Sequence, residues 1–441
     1  MAANEMNRRQ FVKVGGAAAV AASTGIEGIL AAGRAPAFAQ GTKLHILRWN
    51  DFVPAADEVL QKQMPEASKA LGAEITLERI NANDLQARIT AAIQSGSGAD
   101  IIHVLKNWPH LYEKNLVDVS DVAEAIGKAQ GGFYPAMTEL CKVGKVWRAV
   151  PHAIIGGQIA YRKSLFEEVG AKEFPKTWQQ YREVGKKLKA KGYPIGQTAG
   201  HTFGDAPVFW YAFMWSWGGK EVEKDGKTVA INSKETLESV KFAVGFWKDA
   251  CDEGGLAWDD SNNNRAFLSG TISATINGAS IYVESLRNKE KYKTEKGALM
   301  HTDILHAPNP AGPAGTFHLH APFSHAVMSY SKNQKLAKDF LRWLHGKEAF
   351  DPWFVAQRGF SVGSTTDWEK HKMWDQDPVM LPYRTAARAF RLYGYAGSPN
   401  RAASEVESKY IITDMYAKAI QGMTPEDAVK WADSELKKIY A

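Results

Sequence analysis

Two tripeptides bring charged, amide and aromatic groups together just after strand-like runs: Trp49-Asn50-Asp51 and Lys106-Asn107-Trp108. Polar atoms beside a flat ring suit a polyol, because carboxylates and amides take its hydroxyls while the ring covers its apolar face. Histidines crowd a later stretch, where His318, His320 and His325 fall within eight residues, with His301 and His306 upstream. On a strand, a spacing of two would put His318 and His320 on one face, where they could begin a metal site. Such a site also needs a third ligand and outer partners, so no metal is expected. Covalent chemistry finds less support. Asp259 and Asp260 are adjacent and so diverge, whereas glycoside cleavage wants two acids set apart across the bond. The HExxH and GxxxxGK[ST] patterns do not occur. Neither an enzyme nor a cofactor is expected.

At 441 residues the chain is long enough for two domains. With 45% hydrophobic and 23% charged residues, its composition is that of a soluble globular protein. No Lys/Arg cluster is interleaved with aromatics, which excludes a nucleic-acid groove. At the N-terminus, Asn7-Arg8-Arg9-Gln10-Phe11-Val12-Lys13 precedes a Gly/Ala-rich run from Val14 to about Ala32, and Ala37-Phe38-Ala39 supplies a small-x-small cleavage site. Residues 1–39 therefore read as a twin-arginine export signal, and the expected location is a periplasm. Its removal takes away Arg8, Arg9, Lys13 and Arg34 against Glu5 and Glu27, lowering the net charge of +6 by two. No later run approaches the roughly 20 apolar residues of a membrane span. Cys141 and Cys251 are expected to stay single buried thiols.

These groups need a scaffold. Lys43–Trp49 and Glu74–Ile80 read as strands, and Ala99–Val104 as a buried one. A helix over Ala56–Leu71 is expected to kink or end early at Pro65. Asn83 is the expected N-cap of the next helix, with Leu85, Ile89 and Ile93 on one face and Gly96 ending it. Alternating strands and helices predict an α/β fold with largely parallel pairing. From Gly144 to Phe166 a polar turn is followed by an apolar run that Pro151, Gly156 and Gly157 interrupt, then by a helix start at Arg162-Lys163-Ser164. This pattern predicts a hinge between two lobes. Beyond it, Thr177-Trp178-Gln179-Gln180 has capping-box form. Pro207–Trp217 is apolar nearly all round, Lys224–Lys227 is a hairpin turn, and helices are expected over 233–252 and 264–269. A strand over 271–276, a second crossing at 303–308, a strand near 325–329 and a helix over 334–345 follow. Thr424-Pro425-Glu426-Asp427 opens the last helix.

Several stretches together resemble the sugar-binding extracellular solute-binding proteins of ABC importers, the maltose-binding-protein-like family. They are Gly98–Ile102, Ala149–Pro151, Tyr161–Phe166, Pro175–Trp178, Ala266–Gly270 leading into Ile276-Asn277-Gly278, and Asn333–Leu341. The resemblance implies a two-lobed type II periplasmic-binding-protein fold of α/β class, with the lobes joined by hinge crossings. Matching the crossings implies lobe one at 43–150 plus 307–345, and lobe two at 151–306 plus 346–441. It also implies a carbohydrate or polyol captured in the interlobe cleft, a membrane permease as partner, and a monomer. Receptors of charged solutes (glycerol phosphate, a polyamine) and a periplasmic glycan-processing enzyme are the alternatives.

By the same resemblance Asp51 stands at an acidic ligand position, and Asn107 where an acidic contact is common. Trp210 and Tyr211 match a region that stacks sugar rings. Tyr282, just after Asn277-Gly278, matches a stacking position, whereas Ser280 replaces an aromatic, which points to a smaller solute. His320 lies in a loop near the ligand, and Gln158 and Arg401 complete the expected set.

Overall fold

The computed structural model describes residues 41–441, so the expected export segment lies outside the described residues. The first third is a strand–helix alternation: β1 (Lys43–Trp49), α1 (Pro54–Leu71), β2 (Glu74–Ile80), α2 (Ala82–Ser95) and β3 (Ile101–Leu105). The glycines Gly72 and Gly96 end the two helices in left-handed conformation, as a residue without Cβ does at low cost. Two expectations change here. Helix α1 does not end at Pro65 but continues to Leu71, its buried face packing on neighbouring elements that outweigh one missing backbone bond. The N-cap of α2 is Asn81, whose side chain accepts from the Asn83 amide.

Helices α3 (Ser120–Ala129) and α4 (Pro135–Cys141) lead to a hairpin of β4 (Lys142–Val143) and β5 (Val146–Trp147). Strands β6 (Val150–Ile155) and β7 (Gln158–Arg162) follow, separated only by Gly156-Gly157. They belong to different sheets. The larger sheet has the order β11 (Ser361–Gly363), β6, β10 (Ala321–Val327), β3, β1, β2, in which β1 pairs parallel with β2 and β3, and the remaining pairs are antiparallel. The smaller has the order β8 (Ala274–Asn277), β7, β9 (Ile304–Ala307), all antiparallel. The glycine pair is thus the first crossing between two sheets.

Around the smaller sheet lie α5 (Trp178–Ala190), α6 (Asp205–Trp217), α7 (Lys234–Ala250), α8 (Asn262–Leu268), β8 (Ala274–Asn277), α9 (Ser280–Arg287) and β9 (Ile304–Ala307). Helix α5 starts at the expected capping box, with the Thr177 and Gln180 side chains bonded reciprocally to backbone amides. The chain then returns to the larger sheet as β10 (Ala321–Val327), α10 (Gln334–Leu344), α11 (Lys347–Gln357) and β11 (Ser361–Gly363). It ends with α12 (Arg401–Ser408), α13 (Ile411–Ile420) and α14 (Pro425–Tyr440), and α13 and α14 pack on α7 of the smaller-sheet side. Residues 151–155 lie in the larger sheet, as does β11, which pairs with β6, and α11 packs on α1.

One face of the larger sheet carries a polar row inside the core. His325 of β10 stands opposite His103 of β3, and the parallel β1–β3 register brings Arg48 beside them. His152 joins from β6, next to a shift in the β10 register, and His345 arrives from the end of α10. The His325 Nδ1 to His345 Nε2 distance is 3.1 Å, and the His152 ring sits 4.5 Å from that of Trp353. Burial holds all four imidazoles below their ordinary value, so they are neutral at pH 7. Cys141 and Cys251 are both buried and unpaired.

Candidate functional site

A cavity opens where the carboxyl ends of strands from both sheets meet, the usual ligand position in open α/β sheets. About 390 Å³ of space among its lining residues is free of protein atoms, part of it open to solvent. Phe52 after β1, Ile155 at the end of β6, Ala321 at the start of β10 and Phe360 before β11 form one wall. Phe203, Asp205 and Val208 around the start of α6, with Asp260, Asn277 and Ser280, form the other. A polar mouth continues from it past Asn50, Asp51, Asn81, Asn83, Asp259 and Ser261.

The two walls are in contact around this space. Phe203 packs edge-on against Trp49 at 5.2 Å, and its backbone N–H donates to Asn83 Oδ1 at 3.1 Å. At Gly278, in the turn between β8 and α9, an added Cβ would come 2.2 Å from Ile155 Cγ2, so only a residue without one lets the turn close on β6. Gly157 is equally confined, with Val208 Cγ1 at 2.6 Å from its would-be Cβ. Lys106, itself in left-handed backbone conformation, forms a buried ion pair with Glu407 of α12. Its ammonium lies 5.7 Å from the ring centroids of both Phe203 and Tyr393.

Two carboxylates dominate the α6 wall. Asp260 accepts from the backbone amides of Asp205 and Gly204 at 2.7 and 3.0 Å, and so caps the start of α6 from a distant loop. Asp205 accepts from the Asn263 amide at 2.7 Å. Burial pushes both carboxyls upward, and Asp260 adds to the effect on Asp205 by repulsion. Beside them Asn277 donates to Asn264 Oδ1 at 2.8 Å, and Asn264 donates to Ser280 Oγ at 2.8 Å. This network fixes the amide orientations that face the cleft. Asp51 at the mouth accepts from the Val53 N–H at 2.9 Å and the Gln357 amide at 2.7 Å, and burial pushes its carboxyl up to about 6.

Of the residues singled out in the sequence, Asn50, Asp51, Asn277 and Ser280 line the cavity or its mouth. Lys106 borders it. Trp49 lies behind it, fully buried among Phe52, His103, Phe203 and Phe323. Asn107 spends its amide on the Tyr393 carbonyl, and Trp108 is buried against Tyr112. Trp210 stacks on Tyr416 at 4.6 Å and bonds Thr198, while Tyr211 packs on Tyr393 and Trp215, so both belong to the core. Gln158, the first residue of β7, donates to the Pro382 carbonyl at 3.5 Å, and the Tyr282 hydroxyl donates to Asp377 at 2.8 Å. Arg401 is exposed and bonds the Leu111 carbonyl. His320 Nδ1 accepts from the Gly157 N–H at 3.1 Å, which makes it a brace of the crossing rather than part of the cavity wall.

His318 and His320 do pack together, with centroids 5.5 Å apart. Among the described residues the three groups placed closely enough to share a metal ion are instead His152, His325 and His345, in the polar row that Arg48 also enters. Asp205, Val208, Asp260, Phe52, Phe203 and Phe360 are the cavity residues that sequence reasoning missed. Asp205 and Asp260 are 55 positions apart and meet only through the Asp260 cap on α6.

The sequence matches the family described as bacterial extracellular solute-binding protein over residues 53–349. The chain belongs to this family. It is 26% identical over 302 residues to a putative binding protein of Brucella abortus (strain 2308), covering 64% of this chain and 68% of the relative. It is 22% identical to the diacetylchitobiose binding protein DasA of Streptomyces coelicolor, covering 61% and 62% respectively. Among solved structures, maltose-bound MalE3 of T. maritima aligns with a TM-score of 0.75 at 21% identity, covering 90% of this chain and 99% of its own. A solute-binding protein of Agrobacterium radiobacter K84, in complex with ribitol, aligns with a TM-score of 0.70 at 20% identity, covering 90% and 98%. These likenesses establish the two-lobed binding-protein fold.

Proposed function

We propose that this solute-binding protein captures a carbohydrate or polyol between its lobes and presents the closed form to the membrane permease of an ABC importer. The observation that carries the reading is the cavity itself. It lies at strand ends of both sheets and combines carboxylate, amide and hydroxyl groups with phenyl rings. The ligands named for its relatives, which are maltose, ribitol and diacetylchitobiose, fall in the same class. Capture proceeds by closure about Gly156-Gly157 and the second crossing after β9, so the solute is surrounded rather than merely bound to a surface. Its action is binding without chemistry, as a monomer. Export follows the twin-arginine route, which delivers the folded chain to the periplasm.

A thermal-shift screen of the mature protein, freed of solute by unfolding and refolding, tests this reading. A solute that binds only the folded state raises the midpoint as its concentration grows. A rise with sugars or polyols supports the proposal. A complete lack of response across that panel overturns the solute class.

A further inference from the structure

The charge of the cleft is one-sided. Its lining and mouth hold Asp51, Asp205, Asp259 and Asp260, and among the described residues no Lys, Arg or His lines either part. Two basic side chains act on these acids from outside the lining, Arg48 on Asp51 and Lys106 on Asp260, and Lys106 is already paired with Glu407. Asp260 is compensated in place, because two backbone amides donate to it and the Lys106 charge acts on it favourably. Asp205 is not. Among the described residues its side chain accepts from the neutral Asn263 amide, the charge acting on it is that of the like-charged Asp260, and it lines the cavity. A carboxylate in a largely apolar cavity needs either a proton or a cation.

The rest of the lining suits a cation that keeps an organic body. Phe52, Phe203 and Phe360 present three phenyl rings to the same space, and an ammonium over such rings gains a cation–π attraction that a hydroxyl does not. Asn277 and Ser280 leave amide and hydroxyl groups for a hydroxylated remainder. A phosphate or carboxylate ligand would instead meet four acids with no basic side chain to receive it.

We infer that the cleft takes a carbohydrate or polyol carrying a protonated amine, an amino sugar or amino polyol, with the ammonium seated between Asp205 and the three phenyl rings. The inference rests on the carbohydrate reading above and narrows it. Nothing covalent is involved. The ammonium donates to the carboxylate and completes the charge balance of the site.

Calorimetric titration of refolded, solute-free protein at pH 7 with matched pairs tests it: glucose against glucosamine, galactose against galactosamine, and putrescine as an amine without hydroxyls. The expected result is that an amino sugar binds at least tenfold more tightly than its neutral partner. Asp205→Asn, which keeps an acceptor for Asn263, should erase that preference. Phe203→Leu, which keeps apolar bulk but removes a ring, should reduce it by a smaller factor. Neutral sugars binding as well as or better than amino sugars would overturn the amine and leave the carbohydrate reading standing. Binding of putrescine alone would overturn the carbohydrate body and keep the ammonium seat. No binding by any member overturns both.

Discussion

The brace at the first crossing gives a sharp pH test. His320 is fully buried, and its Nδ1 receives the Gly157 N–H at 3.1 Å. Burial, with a smaller contribution from neighbouring His318, lowers its pKa from 6.5 to about 3. The folded state therefore keeps the ring neutral at pH 5, while the unfolded chain protonates it below about pH 6.5. A folded-state pKa that is depressed for a base means stability present at high pH and lost as pH falls. The window runs from about 6.5 down to about 3. Between pH 7 and pH 5 this one residue should cost about 2 kcal/mol of folding free energy by proton linkage.

The perturbation is His320→Asn, which keeps an acceptor near the Gly157 N–H but cannot titrate. The variant is destabilised at both pH values, because the imidazole ring packs on Phe390 at 5.2 Å. Its deficit relative to the natural protein should nevertheless be about 2 kcal/mol smaller at pH 5 than at pH 7. Urea unfolding of both proteins at the two pH values measures the gap. A gap that stays constant or widens on acidification would refute the neutral, buried assignment.

Further tests follow from the same contacts. Lys106→Met should strand the buried Glu407 carboxylate and cost roughly 3–5 kcal/mol in thermal unfolding. Adding Glu407→Leu should recover most of it, and failure to recover would mean the pair is not coupled. Gly157→Ala puts a Cβ 2.6 Å from Val208 Cγ1 at the cavity wall, so solute affinity should fall at least tenfold in calorimetry, with Val208→Ala restoring part of it. Trp210→Ala should cost about 3–5 kcal/mol of stability yet leave the affinity of the folded fraction unchanged, since the ring stacks in the core. An equal loss of affinity would return Trp210 to the site.

Much of the scaffold is legible in the sequence because its signals are local. The Thr177 capping box, the closing glycines of α1 and α2 and the Gly156-Gly157 break each act within a few residues. The return of the chain to the larger sheet is harder to read. Strand β11 has only three residues, Ser361–Gly363, and α11 declares its side only by packing on α1. The site is less legible still. Helix α6 is buried on every side, so periodicity offers no face to assign, and Trp210 cannot be separated from Val208, two positions earlier, which does reach the cavity. Asn107 has the right chemistry, but tertiary contact commits its amide to the Tyr393 carbonyl. Asp260 looked like half of a diverging pair, whereas its carboxylate turns to cap α6 and thereby sets Asp205 at the cavity.

Small-angle scattering of solute-free, refolded protein, with and without a saturating sugar or amino sugar, tests capture by closure most directly. The expected result is a smaller radius of gyration on binding, saturating at one solute per chain. Binding with no change in dimensions, or a contraction unrelated to solute, would contradict it.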